Sequence, residues 1–382
     1  MTSQSAYPTL TRGDSSNVLL ATKAQLDRLG IKVGDVSSPE FDHQFELAIL
    51  AFQQSRGITT DGILGPETFE QIELARYRLG DRVLRFDPVR PLVGDDVGTL
   101  QKRLSKLGVY TDRIDSVFAA ETDEAVREIQ SGLGLRTDGV VGPNTISGLD
   151  SISRNHSTGN LYALREHARV TSSGPSLAGR VIVIEAATSA RDFKATPYTD
   201  EQRRLEEEYS VDIARRLDGR LSALGAATVL VSSPDAHQTL ADELEASAVV
   251  TITQDSSLSD SANGVATFYF GRADDDDVYS PVGKRLAELV QKEVNARTDF
   301  LDCRTHARTW QSLAAVRSPK VHVVAGYVSH DRDREMLADD LIRDRIADGI
   351  AAALQRLYLA RESDPETGAL NIQSITNPSR FT

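Results

Sequence analysis

A long internal repeat is the feature that most constrains how this chain can fold. The stretch from Ala48 to Thr68 realigns without gaps with the stretch from Ala125 to Thr145, at an offset of 77 residues. The matched positions are Gln53 with Gln130, Gly57 with Gly134, Asp61-Gly62 with Asp138-Gly139, and Gly65-Pro66 with Gly142-Pro143. Upstream, the segments QLDRLG and QKRLSKLG match at an offset of 78, so a whole module is duplicated. Such a duplication predicts two copies of one small structure.

Each copy has the sequence signals of three short helices. One apolar helical pattern ends at a glycine, a second runs to Gly57 or Gly134, and a Gly-Pro pair opens a third. Glycine permits positive φ and proline suits a first helical turn, so we interpret the Asp-Gly and Gly-Pro pairs as setting the backbone rather than binding a ligand. The repeat therefore predicts two small three-helix bundles.

The second half of the chain alternates strand and helix patterns. Apolar runs such as Val181 to Glu185 and Ala248 to Thr253 predict buried strands, and helical patterns such as Glu201 to Leu224 lie between them. We expect an α/β domain with a mostly parallel sheet. The predicted domains are a flexible N-terminus (1–12), two modules (13–79 and 80–150), a linker (151–179), the α/β domain (180–360) and a mobile tail (361–382).

Charge and hydropathy exclude several classes of function. The formal net charge of −13 repels nucleic acid and anionic membranes over the chain as a whole, so no nucleic-acid partner is expected. The first residues lack a secretory signal pattern, and no apolar stretch approaches the roughly 20 residues of a membrane span. These features predict a cytoplasmic protein. The single cysteine, Cys303, predicts no internal disulfide, and the run Asp274 to Asp277 lacks calcium-loop spacing and predicts a solvated loop.

These patterns resemble two families of bacterial cell-wall proteins. The repeats, with their Asp-Gly and Gly-Pro signature, resemble peptidoglycan-binding modules over about residues 13 to 150. The α/β domain resembles the zinc-dependent N-acetylmuramoyl-L-alanine amidases over about residues 180 to 358. The resemblance implies helical modules attached to a domain whose sheet carries a zinc site.

The resemblance also implies where the amidase site residues lie, and most of those positions carry other residues. Thr188 stands where the family has a zinc-binding histidine after its first strand, and Thr253 stands at the histidine of its Ser-Ile-His. Glu206, which two further glutamates follow, matches the zinc-binding glutamate by a gapless helix count. The catalytic glutamate of Val-Glu-x-Gly-Phe/Tyr matches Ala325 in VAGYVSH.

Those replacements predict a pseudo-enzyme with no metal or other cofactor. Zinc in an amidase lowers the pKa of a bound water to about 7, and the glutamate moves the proton. Threonine is a poor zinc ligand, and alanine carries no proton. The alternative is a working zinc amidase with a relocated site at His306, His322 or His330. Strand alternation turns His322 away from Ala325, and the other two histidines fit surface or capping roles.

Over its whole length the chain resembles actinobacterial amidase-like regulators of peptidoglycan precursor synthesis. That resemblance implies phosphorylation by a membrane Ser/Thr protein kinase, after which the protein stimulates UDP-N-acetylglucosamine 1-carboxyvinyltransferase. It further implies contacts with a forkhead-associated domain protein and with the lipid II flippase, and recruitment to the membrane by such partners. A muramoyl-peptide precursor is a further candidate ligand. A purely structural adaptor is the third hypothesis.

The C-terminal tail contains the candidate phosphorylation site. Thr376 lies between Ile375 and Asn377-Pro378, a context that favours an extended and accessible backbone. A phosphate adds roughly −1.5 to −2 charge, so a modified tail can dock on an arginine-bearing partner. An unmodified, solvated tail is the alternative. The competing positions are Ser374, Ser379 and Thr382.

Overall fold

The chain folds as two compact units. The repeat unit comprises residues 1–165 with 272–278, and the sheet unit comprises residues 166–271 with 279–382. The computed structural model describes residues 7–153, 174–186, 199–231, 240–257, 262–272 and 275–358 of these units.

The repeat unit contains the two three-helix modules that the sequence predicts. Module 1 has α1 (Val18–Arg28), α2 (His43–Arg56) and α3 (Pro66–Leu74), and module 2 has α4 (Asp95–Lys106), α5 (Ala120–Gly132) and α6 (Pro143–Ser153). Proline opens the third helix of each module, where its missing N–H costs nothing. Phe41, Phe45 and Phe52 are buried in the core of module 1, and each such side chain contributes about 1.5–3 kcal/mol.

A glutamine in the second helix of each module holds the Asp-Gly turn that follows it. In module 1, Gln53 Oε1 accepts the Gly62 N–H at 2.9 Å. Its Nε2 lies 2.7 Å from Asp61 Oδ1 and 3.0 Å from Thr68 Oγ1. Gln130 repeats these contacts in module 2 with Gly139, Asp138 and Thr145. Both glycines have positive φ, 72° and 73°, so the Asp-Gly pairs do set the backbone at these turns.

The first helix of module 2 contains a third copy of this network. Gln101 Oε1 accepts the Ser116 N–H at 2.9 Å, and its Nε2 lies 2.8 Å from Asp115 Oδ1 and 3.2 Å from Thr122 Oγ1. The first helix of module 1 has Lys23 at the matching position. The same arrangement of a helix and the loop that follows it therefore occurs four times, with glutamine at its centre three times.

Lys23 replaces that glutamine with a buried ammonium group. The side chain is fully buried and donates to the carbonyl oxygens of Asp35, Ser38 and Glu40 at 3.3, 3.0 and 2.7 Å. Its Nζ also lies 5.2 Å from the centre of the Phe45 ring, a distance at which a cation is attracted to the ring face. Phe45 occupies the position that Thr122 has in module 2.

The sheet is mostly parallel, as the sequence predicts. Its strands are β1 (Val181–Ala186), β2 (Ala227–Val231), β3 (Ala248–Asp255), β4 (Val265–Arg272), β5 (Asp275–Tyr279), β6 (Asp302–Arg308) and β7 (Lys320–Tyr327). Their order is β2-β1-β3-β7-β4-β5, and β6 pairs with β4. The pairings β1/β2, β1/β3, β3/β7 and β4/β6 are parallel, and β4/β7 is antiparallel. The aspartate run that predicted a loop instead enters β5, so that prediction was wrong.

Helices pack on both faces of the sheet. In the described residues, the helices of this unit are α7 (Asp200–Ala223), α8 (Leu240–Glu243), α9 (Pro281–Asn295), α10 (Gln311–Ala314), α11 (Asp331–Ala338) and α12 (Asp340–Tyr358). Ile182 and Ile184 of β1 share a large core with α7, α9 and α12, and we name this side the helix face. Val183 packs on the opposite face with Ala241 of α8. This alternation is what a strand with both faces buried requires.

The close packing of α9 against α12 depends on a small residue and on buried charges. A Cβ at Gly349 would come within 3.0 Å of the Val294 backbone, so only glycine allows this approach. Glu293 is fully buried and binds both Arg297 and Arg356. Arg297 also binds Asp348 at 2.8 Å, so two carboxylates balance the two guanidinium groups, which is the condition for burying such charges.

Candidate functional site

The amidase-type positions lie near the carboxyl ends of strands that are neighbours in the sheet. Strand β3 pairs with β1 on one side and with β7 on the other. Ligands of open α/β sheets bind outside the carboxyl ends of such strands. This edge of the sheet is therefore the candidate site, and Thr253 of β3 and Ala325 of β7 both lie near it.

Thr253 is fully buried, and its hydroxyl is already engaged. Its Oγ1 lies 3.0 Å from Nε2 of His322 on β7. Burial of the ring, reinforced by the positive charge of Lys320, lowers the pKa of His322 to about 3, so the imidazole is neutral at pH 7. A hydroxyl held by a neutral imidazole inside the sheet does not resemble a zinc ligand.

Thr253 and His322 adjoin a buried ion pair on the side of the sheet opposite the helix face. The Lys320 Nζ lies 2.7 Å from Glu185 Oε2, and the Thr251 hydroxyl donates to the same oxygen at 2.5 Å. The side chains of Glu185 and Lys320 are only 8% and 4% exposed. Removing one partner of a buried pair costs about 3–5 kcal/mol, because the other charge is left unpaired. These contacts link β1, β3 and β7.

Ala325 does not face Thr253, and this corrects the sequence assignment of the missing catalytic carboxylate. Ala325 is fully buried on the helix face, and the register pairs Thr253 with Val324. The family pattern also has one residue between its glutamate and its glycine, so counting back from Gly326 gives Val324. Because side chains alternate along a strand, Val324 is the residue that lies on the face of Thr253. Valine, like alanine, cannot carry a proton.

Glu206 approaches the sheet from the other side. It is fully buried, whereas the next two glutamates are exposed, so burial distinguishes it from them. One turn later, the Ser210 hydroxyl donates to Gln254 Oε1 at 2.8 Å and ties α7 to the end of β3. Because α7 packs on the helix face and Thr253 lies on the opposite face, the structure does not bring Glu206 and Thr253 together.

The residues at this edge do not fit a zinc ion. A catalytic zinc takes three protein ligands, usually histidine, cysteine or carboxylate. Thr253 offers an occupied hydroxyl, Val324 offers no donor atom, and Glu206 lies on the other face. Within the described residues, no group of three or more His, Cys, Asp and Glu side chains could hold a metal. Two sequence-assigned positions, Thr188 and Thr376, lie outside the described residues.

The remaining histidines have local roles. His330 accepts the Asp333 N–H as the N-cap of α11, which confirms the predicted capping role. His306 is half-buried rather than on the surface: its Nε2 lies 2.6 Å from the Cys303 carbonyl oxygen, and its ring stacks on Phe268. Burial lowers the pKa of His306. The predicted orientation of His322, away from Ala325, is confirmed.

Sequence reasoning missed the contact between His322 and Thr253, and it missed the ion pair of Glu185 with Lys320. A signal for both was present in the strands. Polar residues alternate with apolar ones in the sequences KVHVV of β7 and VTIT of β3. Two neighbouring strands that share this alternation bring their polar residues to one face.

Two protein-family models match this chain. The model described as a putative peptidoglycan binding domain matches residues 16–72 and 93–149. The model described as N-acetylmuramoyl-L-alanine amidase matches residues 182–356. The two matches to the first model fall on the two modules, and the match to the second falls on the sheet unit.

Similar proteins are known among curated sequences and solved structures. N-acetylmuramoyl-L-alanine amidase CwlM of Mycobacterium tuberculosis is 38% identical over 378 residues, which cover 95% of this chain and 93% of that protein. N-acetylmuramoyl-L-alanine amidase LytC of Bacillus subtilis is 28% identical over 153 residues, which cover 38% of this chain and 30% of that protein. The amidase AmiC2 of Nostoc punctiforme matches with a TM-score of 0.39 and 22% identity, over 46% of this chain and 96% of that one. In the described part of the chain, no helix is long and apolar enough to span a membrane.

Proposed function

This chain belongs to the family of amidase-type proteins that includes CwlM of Mycobacterium tuberculosis, and we propose that it is a non-catalytic member that regulates peptidoglycan precursor synthesis. One observation carries the non-catalytic part. Thr253 of β3 and Val324 of β7 lie next to each other, and the hydroxyl of Thr253 already binds His322. Neither side chain can hold the metal or move the proton that amide hydrolysis requires.

His322 is a poor substitute for the missing base. Its pKa of about 3 makes it a weak acceptor of protons, and the residue is only 2% exposed. A general base must come within hydrogen-bond reach of the proton that it abstracts. A water or substrate outside the sheet cannot meet this requirement with His322 in its present position.

The regulatory part of the proposal rests on the resemblance to actinobacterial amidase-like regulators. Under it, a Ser/Thr protein kinase phosphorylates the tail at Thr376, and the modified chain stimulates UDP-N-acetylglucosamine 1-carboxyvinyltransferase. The forkhead-associated domain protein and the lipid II flippase are further proposed partners, and the cytoplasm is the proposed location. A muramoyl-peptide precursor is the proposed small ligand.

The non-catalytic part is tested by zinc analysis together with release of stem peptide from a muramoyl peptide. We expect neither zinc nor peptide release from the unaltered chain. A triple variant, Thr188→His, Thr253→His and Val324→Glu, tests the assigned positions. Because Glu206 lies on the other face of the sheet, this variant has only two of the three protein ligands that a catalytic zinc takes, and we expect it to release no peptide either. A gain of peptide release would show that Glu206 reaches the site. One zinc per unaltered chain, with peptide release, would overturn the proposal.

The regulatory part is tested by assaying the transferase with kinase-treated chain. We expect phosphorylated chain to raise the rate of the transferase and Thr376→Ala chain to lose most of that effect. Thr382→Ala is the matched control, because it removes a hydroxyl from the same tail. Equal stimulation by both variants would contradict the role of Thr376, and no stimulation by phosphorylated unaltered chain would contradict the partner.

A further inference from the structure

The two modules differ in the loop that leads into their first helix. In module 1 this loop runs between two β-bridges, Leu10 with Leu64 and Ser15 with Glu40. In module 2 it runs between the corresponding bridges, Leu84 with Val141 and Val93 with Val117. The first loop has four residues, Thr11 to Asp14, and the second has eight, Arg85 to Leu92. Module 1 shows that the fold can make this connection with four residues, so the connection itself does not require the extra four.

The longer loop, residues 85–92, exposes apolar side chains. Phe86 is 37% exposed and Val89 is 83% exposed, and the flanking Val83 and Val93 are 54% and 41% exposed. The short loop of module 1 consists of Thr11, Arg12, Gly13 and Asp14, and so has no apolar side chain to expose. An exposed apolar cluster that the fold does not require indicates a contact surface.

The 85–92 loop also carries two arginines against one aspartate, Asp87, whose charge interacts with that of Arg85. Arg85 and Arg90 are exposed, and within the described residues neither forms an ion pair. In module 1 the single loop arginine, Arg12, is neutralised by Glu46 at 3.1 Å. The residue of module 2 that matches Glu46 is Asp123, which binds Arg127 on its own helix at 2.6 Å. Two arginines and one aspartate give the loop a formal charge of +1 on a chain whose net charge is −13.

The conformation of the 85–92 loop is fixed in advance. Asp87 Oδ1 accepts the N–H groups of Val89 and Arg90 at 2.9 and 3.0 Å, so the aspartate is used to hold the turn. At the base of the loop, the Leu92 carbonyl accepts the Phe118 N–H at 2.8 Å. A preorganised loop loses little conformational entropy when it binds.

We propose that the 85–92 loop contacts an anionic lipid surface, with Phe86 and Val89 entering the headgroup region and Arg85 and Arg90 lying against lipid phosphates. Aromatic and aliphatic side chains flanked by arginine are the combination that binds such interfaces. A specific protein interface needs about 800 Å² from each partner, which eight residues do not supply alone. A bilayer accepts a contact of a few side chains.

The test is co-sedimentation of the full chain with vesicles. We expect binding to vesicles of phosphatidylglycerol and phosphatidylcholine in equal parts, and none to phosphatidylcholine alone. Binding should weaken as salt shortens the Debye length from about 30 Å to about 8 Å. Arg85→Ala with Arg90→Ala should weaken binding about fivefold for each arginine. Phe86→Ser with Val89→Ser should weaken it at least about tenfold.

The repeat itself supplies the matched variants. Replacing residues 85–92 by the module 1 sequence Thr-Arg-Gly-Asp keeps a connection that the fold already uses, and this chain should fold but not bind vesicles. Arg136→Ala, which removes an exposed arginine outside the loop, should bind normally. Equal binding by unaltered and loop-replaced chains, or no binding by the unaltered chain, would overturn the proposal. So would a loop-dependent self-association without lipid binding, because it would assign the loop to a second copy.

Discussion

The repeat unit and the sheet unit both bury polar side chains, but they relate differently to the families they resemble. In the repeat unit the signature residues are present and bind one another, as Gln53 does with Asp61 and Thr68. In the sheet unit the signature residues are replaced, and Thr253 binds His322 instead. In the repeat unit these polar groups are satisfied inside the fold, whereas in the sheet unit Nδ1 of the buried His322 has no hydrogen-bond partner among the described residues. A retained motif is therefore not by itself evidence of ligand binding, because its residues can bind one another instead. Loss of a motif, in turn, does not mean that the site is disordered.

Replacing Lys23 should produce the largest loss of stability. Lys23 is the one position among the four networks of the repeat unit that has no central glutamine. Lys23→Met keeps the chain length but leaves the carbonyls of Asp35, Ser38 and Glu40 without their donor. We expect the free energy of unfolding of the repeat unit to fall by about 3 kcal/mol. Hydrogen exchange of the module 1 amides measures this loss.

The sheet unit provides the control for this variant. The single tryptophan, Trp310, lies in the sheet unit, so its fluorescence reports that unit separately. The unfolding midpoint of the sheet unit should be the same in Lys23→Met as in the unaltered chain. The exposed Lys32→Met should change neither unit by more than about 0.5 kcal/mol. A Lys23→Met chain as stable as the unaltered one would mean that the buried ammonium is not needed to hold its loop.

Lowering the pH should destabilise the sheet unit through His322, which the repeat unit does not contain. The pKa of His322 is lowered to about 3 in the folded chain, against an ordinary value of 6.5. The unfolded chain therefore takes up the proton first as the pH falls, and the sheet unit loses stability between about pH 6.5 and about pH 3. From neutral pH to about pH 5, the loss should reach about 2 kcal/mol. Denaturant unfolding followed by Trp310 fluorescence measures it.

A variant without the titrating group tests the cause. His322→Asn removes the imidazole, so this part of the pH dependence should disappear even though the variant is less stable at pH 7. The repeat unit, whose described histidine His43 is exposed beside Glu46, is measured in parallel. An unchanged pH dependence in His322→Asn would assign the acid sensitivity to other groups.

Much of the fold could be predicted from sequence, because it depends on local patterns. The repeat of Gln53 and Asp61-Gly62 at Gln130 and Asp138-Gly139 predicts the modules, and the apolar strands predict the sheet. The third network, around Gln101, was missed because its loop reaches the aspartate after fourteen residues rather than eight, so no fixed spacing marks it.

The candidate site was less predictable, because strand register is not a local property. Sequence alone assigned the lost carboxylate to Ala325, and the pairing of Thr253 with Val324 corrects it by one residue. A shift of one residue moves a side chain to the other face of the sheet. The aspartates that enter β5 were missed for a similar reason: acidic residues are unfavourable in strands, but pairing within the sheet overrides that preference.

A threonine in the repeat unit should give the smallest effect and the sharpest measure of its internal network. Thr145→Val keeps the shape of the side chain but removes the hydroxyl that lies 3.2 Å from Gln130 Nε2 and donates to the Val140 carbonyl at 3.1 Å. We expect a loss of about 1 kcal/mol in the free energy of unfolding, measured by hydrogen exchange of the module 2 amides. Thr145→Ser is the matched control, because it keeps the hydroxyl and removes only a methyl group. If Thr145→Ser costs as much as Thr145→Val, packing rather than hydrogen bonding holds this turn. The signature residues of the repeat unit would then not stabilise it through their hydrogen bonds, and the contrast drawn with the sheet unit would fail.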